Sequence, residues 1–234
     1  MKIAGLQKCT LLDYPGKVAC TVFLPGCNFR CPFCHNFELV ESPQSMMDDQ
    51  ELLTFLQKRQ GLLEGVCITG GEPTLQPGLP QLLQKIRELG FAVKLDTNGY
   101  RPEILSSLIE QGLVDYVAMD VKNGPDAYAA TCGLEHLDLV KIEDSIRLLL
   151  ENKVDYELRT TVCKPLHNAQ NIQSLALWLQ NMSHQKAKRL FIQPFVDRDT
   201  VPYAGFSAPN GAELAEFQEI LSVAAVQVAI RGVT

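Results

Sequence analysis

The chain has 234 residues, 46% of them hydrophobic, and a formal net charge of −6 from 21 Lys and Arg against 27 Asp and Glu. That length and apolar content suit the core of one α/β domain, and the acidic balance argues against a nucleic-acid surface, which would be basic. No apolar run approaches the ~20 residues of a membrane span. The start Met1-Lys2-Ile3-Ala4-Gly5 leads into a polar segment without a secretory pattern, so the chain reads as cytoplasmic, with neither nucleic acid nor membrane among its partners.

Strand and helix patterns alternate from there. Residues 18–24 form a β-rich run, and Ser45-Met46-Met47-Asp48 offers a capping box for a helix ending at Gly61. A strand over 66–69 precedes a helix carrying Leu79, Leu82, Leu83, Ile86 and Leu89 before Gly90. A strand over 91–96 follows, then a helix opened by Pro102 and closed by Gly112, then a strand over 116–121. Ile142, Ile146 and Leu149 mark a helix before the strand 156–162, and Ile172, Leu175 and Leu179 another before 190–193. The basic cluster Lys186-Ala187-Lys188-Arg189 reads as a solvated helix end. A helix over 214–221 and a strand over 226–230 close the chain.

Such alternation predicts right-handed βαβ units and a parallel sheet. Six units fall short of the eight of a closed barrel. The expected fold is α/β, an incomplete, laterally open (β/α)6 TIM-like barrel, as a single core domain over 1–234. Four consecutive strands then end in unusual residues: a cysteine loop after the first, Gly70-Gly71-Glu72-Pro73 after the second, Asp96-Thr97-Asn98-Gly99 at the third, Asp120 and Lys122 at the fourth. Functional groups of parallel barrels gather at these C-terminal strand ends.

Cys27, Cys31 and Cys34 have C-x3-C-x2-C spacing, which lets one loop wrap one metal centre. Structural zinc and an ordinary electron-transfer 4Fe-4S cubane both take four protein ligands, so three thiolates on a cubane leave one iron open for chemistry. Zinc could recruit His35, but adjacent residues rarely reach a common metal, and there is no second C-x2-C pair. Cys9, Cys20, Cys67, Cys132 and Cys163 lack partners at ligand spacing and read as small buried hydrophobes, and His136, His167 and His184 as ordinary surface or loop residues.

The cysteine motif, with Phe33 before its last member, resembles the cluster motif of the radical S-adenosylmethionine (SAM) enzymes. The context from Phe23-Leu24-Pro25-Gly26 to His35-Asn36 is most similar to the glycyl-radical-activating branch. Within it the sequence looks most like activators of anaerobic ribonucleoside-triphosphate reductase, and more distantly like the pyruvate formate-lyase activating enzyme. The resemblance implies the same open barrel, and a 4Fe-4S cluster on Cys27, Cys31 and Cys34 whose open iron chelates the amino and carboxylate groups of SAM. One electron from a flavodoxin- or ferredoxin-type donor would then yield methionine and a 5′-deoxyadenosyl radical. It further implies that Gly70, Gly71 and Glu72 approach the methionine amino group, and that Lys122 and Arg159 meet the carboxylate. Phe33 and Asn36 would border the adenine, with Asp96 and Asn98 also facing SAM. A monovalent cation would lie among Asp96, Thr97, Asp120 and the Ala118 carbonyl, offsetting the cost of carboxylates without partners.

One position departs from the pyruvate formate-lyase activator: where that protein has a histidine near the nucleoside, Gln193-Pro194-Phe195-Val196 places Val196. The expected function is hydrogen abstraction from a glycine of a partner glycyl radical enzyme, anaerobic ribonucleotide reductase first and another such as pyruvate formate-lyase second. The competing classes are a radical SAM enzyme acting on a small molecule, such as a deazapurine or cofactor precursor, and a non-catalytic iron-sulfur or zinc module.

Overall fold

Aliphatic runs too short for helices pair side by side, and the amphipathic segments between them cover the outside. In the computed structural model, which describes residues 1–41, 46–182 and 185–232, the chain enters through β1 (Lys2–Ile3) and β2 (Gly5–Thr10), turns, and runs along β3 (Ala19–Leu24). The cysteine loop leads to α1 (Glu38–Glu41), then to β4 (Met47–Asp48), antiparallel to β1, and to α2 (Asp49–Gln57). Next come β5 (Gly65–Gly70) with α3 (Leu79–Glu88), β6 (Ala92–Thr97) with α4 (Pro102–Glu110), and β7 (Tyr116–Asp120) with α5 (Pro125–Thr131) and α6 (Leu139–Leu150). The chain continues through β8 (Asp155–Val162) with α7 (Ala169–Met182) and β9 (Ala187–Pro194) with α8 (Gly211–Leu221), and closes on β10 (Ala225–Ile230).

The main sheet runs β10-β9-β8-β7-β6-β5-β3-β2, with every pairing parallel except that of β2 to β3. β2 and β10 stand at opposite ends of this order, so the sheet is open between them, as the sequence predicts. Its curvature brings Ala19 of β3 into one cluster with Tyr116 and Ala118 of β7, around Tyr14 from the turn before β3. Tyr14 plugs the bottom of the barrel, and Gly65 is small because a Cβ there would lie 2.8 Å from that ring. Outside, Leu79, Leu82, Leu83 and Ile86 of α3 are buried against the sheet, as their 3.6-residue spacing requires.

Three local expectations change. The cap of α2 is Asp48 with Glu51, each side chain bonding the other's backbone N–H at 2.9 Å; Ser45 of the expected box lies outside the described residues. β2 has no sequence signature because Gln7, Lys8 and Cys9 are exposed on an edge, leaving no apolar alternation, and Cys9 is therefore not the buried hydrophobe expected of it. The basic cluster is no helix end: it opens β9, where Arg189 bonds Asp155 and the Tyr156 carbonyl. Among the described residues no helix is long and apolar enough to cross a membrane.

Candidate functional site

The strand ends converge on one cleft of about 450 Å³. On its wall are the three motif cysteines with Phe33 and Asn36, then Gly70, Gly71 and Glu72 from the second loop. Asp96, Thr97 and Asn98 reach it from β6 and its end, and Asp120, Lys122 and Arg159 from β7 and β8. Ala118, the register partner of Asp96 on β7, is not among the residues lining it, and its side chain packs with Tyr14 and Tyr116.

The first two loops are clasped backbone to backbone. Gly71 N donates to the Leu24 carbonyl at 2.9 Å and Glu72 N to that of Gly26 at 2.7 Å. A Cβ on Gly71 would stand 2.0 Å from the Gly26 oxygen; one on Gly70, whose φ is +123°, would stand 2.3 Å from that of Leu24. The glycines thus let the cysteine loop seat on β5. Gly71→Ala is expected to cost about 1–3 kcal/mol from this overlap and to shift the cysteine loop; a melting temperature and iron uptake equal to the parent's would disprove the clasp. Glu72, almost fully buried, ties the second loop to the third. Its Oε1 accepts from Thr74 N (3.1 Å), Thr74 Oγ1 (2.6 Å) and Thr97 Oγ1 (2.8 Å), and its Oε2 from Asn98 N (2.7 Å). Burial raises its pKa while these four donors oppose the rise.

The thiols share the cleft in different settings. Burial pushes Cys27 up to about 12 and raises Cys34, whereas a hydrogen bond with the Cys132 thiol lowers Cys31 to about 7. The Lys122 ammonium lowers all three. Among the described residues no three His, Cys, Asp or Glu side chains converge at metal-binding distance. The donor chemistry nevertheless fits an iron-sulfur cluster: three thiols on one loop, a nearby positive charge favouring thiolates, and a buried Asn28 Nδ2 with no partner, able to donate to sulfur. Asn98 Nδ2 bonds Asn28 Oδ1 at 2.9 Å and lies 4.0 Å from Cys27 Sγ.

A chain of alternating charges crosses the interior. Lys94 Nζ donates to Asp96 Oδ1, Arg159 Nη1 to Asp96 Oδ2 (3.1 Å), Arg159 Nε to Asp120 Oδ1 (2.8 Å) and Lys122 Nζ to Asp120 Oδ2 (3.0 Å). Asp96 and Asp120 are therefore not the partnerless carboxylates expected from sequence. Burial opposes their ionisation, but the Arg159 guanidinium and the lysines win, holding Asp96 low and Asp120 at about 2. Three cations against two carboxylates leave one positive charge, which suits the carboxylate of SAM.

Sequence reasoning missed Lys94, although a lysine two residues before Asp96 on one strand shares its face. It missed also the buried Glu157, held by Tyr116 Oη (2.8 Å) and Arg231 (2.7 and 2.9 Å). Against expectation His167 is a core residue: it accepts from Cys163 N at 3.2 Å, bonds the Lys122 carbonyl at 2.8 Å and meets the Phe33 ring edge-on. Burial lowers its pKa. His136 is exposed as expected, and His184 lies outside the described residues. The Val196 side chain does not line the cleft; its carbonyl bonds His35 Nε2 at 2.7 Å, while His35 stacks on Phe195. Gln193 and Arg198 face the cleft from that segment.

A Methanocaldococcus jannaschii protein provisionally named a glycyl-radical enzyme activating enzyme is 31% identical, over 99% of this chain and 96% of its own. A 7-carboxy-7-deazaguanine synthase of Methanopyrus kandleri is 30% identical over 66% of this chain and 70% of its own, and the pyruvate formate-lyase-activating enzyme of Clostridium pasteurianum 30% identical over 53% and 54%. Among solved structures, Streptococcus suis SuiB bound to S-adenosylmethionine superimposes with a TM-score of 0.63 at 15% identity, over 91% of this chain and 52% of that one. The sequence model of the radical SAM superfamily matches residues 21–179, from β3 through most of α7. That stretch carries the cysteine loop and the first four strand ends on the cleft, and the chain belongs to the radical SAM superfamily, as an enzyme that uses a 4Fe-4S cluster and SAM.

Proposed function

We propose that the protein is an activase that takes a hydrogen atom from a backbone glycine of a glycyl radical enzyme, with anaerobic ribonucleoside-triphosphate reductase as the first candidate. The observation that carries this reading is the similarity along nearly the whole chain to a protein named for that activity, where the deazaguanine synthase matches two thirds. The sheet opening between β2 and β10 supports it, since an extended loop of a macromolecule can enter there. The chain acts in this reading as one core domain.

Cys27, Cys31 and Cys34 hold the cluster, and the cluster with SAM supplies reductive cleavage that ends in hydrogen abstraction. The remaining work belongs to the side chains of the cleft. Lys122 and Arg159, oriented by Asp120 and Asp96, present N–H donors to the methionine carboxylate. Gly70, Gly71 and Glu72 hold backbone against the methionine end. Phe33, buried between His167 and Phe206, and Asn36, bonded to the Gly70 carbonyl at 3.3 Å, border the nucleoside. Substrate in the opening excludes water from the reaction, and a flavodoxin- or ferredoxin-type protein delivers the electron.

The test mixes reduced, cluster-loaded protein and SAM with the anaerobic reductase from the same source. A glycyl doublet on the reductase by electron paramagnetic resonance is the expected result. A doublet only with another glycyl radical enzyme would change the partner; none with any, alongside turnover of a small metabolite, would replace the reading with a small-molecule enzyme.

A further inference from the structure

Every side-chain oxygen that the sequence offers to a monovalent cation is already engaged. Both oxygens of Asp96 and both of Asp120 face a lysine or arginine nitrogen, and Thr97 Oγ1 donates to Glu72 while accepting from Gly99 N at 3.1 Å. Ala118, beside Asp96 in the β6–β7 register, is not among the residues lining the cleft. The residue that completes this set is Lys94, 2% exposed, whose Nζ also lies 3.7 Å from Cys67 Sγ. An ammonium is a compact unit charge, here tethered to β6 and aimed at the carboxylate that the mobile ion would bind. Adding a free cation would put four positive charges against two carboxylates in a buried site, where like charges are strongly disfavoured.

We propose that the Lys94 ammonium takes the place of an exchangeable monovalent cation, so that SAM binds without potassium or sodium. Lys94 is then a positioning residue: it balances Asp96, which in turn fixes Arg159 between Asp96 and Asp120. The inference rests on SAM lying in this cleft, whatever the substrate that follows.

The experiment is calorimetric titration of SAM into the anaerobic, cluster-loaded protein, in chloride salts of potassium, sodium and N-methyl-D-glucamine at equal ionic strength. The parent is expected to bind equally in all three, within about twofold. Lys94→Met is expected to bind about tenfold or more weakly in N-methyl-D-glucamine chloride and to regain affinity in potassium chloride, a dependence the parent lacks. Parent affinity that collapses when potassium and sodium are removed would overturn the proposal, as would a Lys94→Met protein that binds like the parent in every salt. If Lys94→Met fails to fold or load iron, the parent's salt comparison decides alone. A parent that binds SAM in none of the salts would remove the SAM site itself, and the proposal with it, leaving the choice of substrate to the glycyl-radical experiment.

Discussion

Replacing Cys27, Cys31 or Cys34 by Ala is expected to abolish the cluster, dropping iron after anaerobic reconstitution from about four per chain to near none and eliminating SAM cleavage. The physical reason is the small number of ligands: three thiolates already leave one iron without a protein donor, and two leave a half-bound cluster open to water. Cys67→Ala and Cys163→Ala should keep their iron, because Cys67 lies deeper in the barrel beside Lys94 and Cys163 is hydrogen-bonded to His167. Cys132→Ala is the stringent control, since Cys132 touches Cys31 but belongs to the end of α5. Full iron in Cys132→Ala places it outside the ligand set. Loss of iron there, or stoichiometric zinc in the parent, would overturn the assignment of three cysteines to a 4Fe-4S cluster.

Arg159→Met is expected to be the most destabilising single change away from the cysteines. It removes the guanidinium shared by Asp96 and Asp120 and leaves each with one lysine in a mostly buried position on the cleft wall. Breaking a buried ion pair in this way costs about 3–5 kcal/mol, which for a chain of this length lowers the melting temperature by roughly 10 °C. SAM affinity should fall with it, because the remaining charges, two cations and two carboxylates, no longer favour an added carboxylate. The same pairs set the acid limit of the parent. The Asp120 pKa is depressed from its usual value to about 2, so its stabilising contribution is complete above the unfolded carboxyl range near pH 4 and is lost as pH falls toward 2. Thermal melts from pH 6 to pH 2 should therefore steepen for the parent below pH 4 and be flatter for Arg159→Met. A variant that melts with the parent at neutral pH would show that the guanidinium is dispensable.

The strands and helices were legible because their periodicities are strong: α3 buries Leu79, Leu82, Leu83 and Ile86 of the predicted pattern, with Leu89 half-buried just past its end, and β7 and β8 lie within a residue of the predicted spans. β2 was hidden because it is a polar edge strand whose pairing is decided by β3, and α5 because seven residues are too few for a helical period to show. His167 looked like a loop residue, since nothing in its neighbours along the chain announces that Phe33 and the Lys122 carbonyl will cover it.

By itself the sequence determined the cluster motif, the alternation that makes a parallel barrel, and the strand-end positions of Gly70, Gly71, Asp96, Asp120 and Lys122, because spacing along one loop or one strand is a local property. Only the tertiary structure decided what those groups face. Lys94, Asp96, Asp120 and Arg159 come from three different strands, and their charges balance only when the curved sheet brings them within hydrogen-bonding distance. Cys31 and Cys132, about a hundred positions apart, meet because α5 returns its end to the cysteine loop, where Arg30 N bonds the Cys132 carbonyl at 2.8 Å. Electrostatic energy depends on distance through space and on exclusion of water, and neither is written in the order of residues.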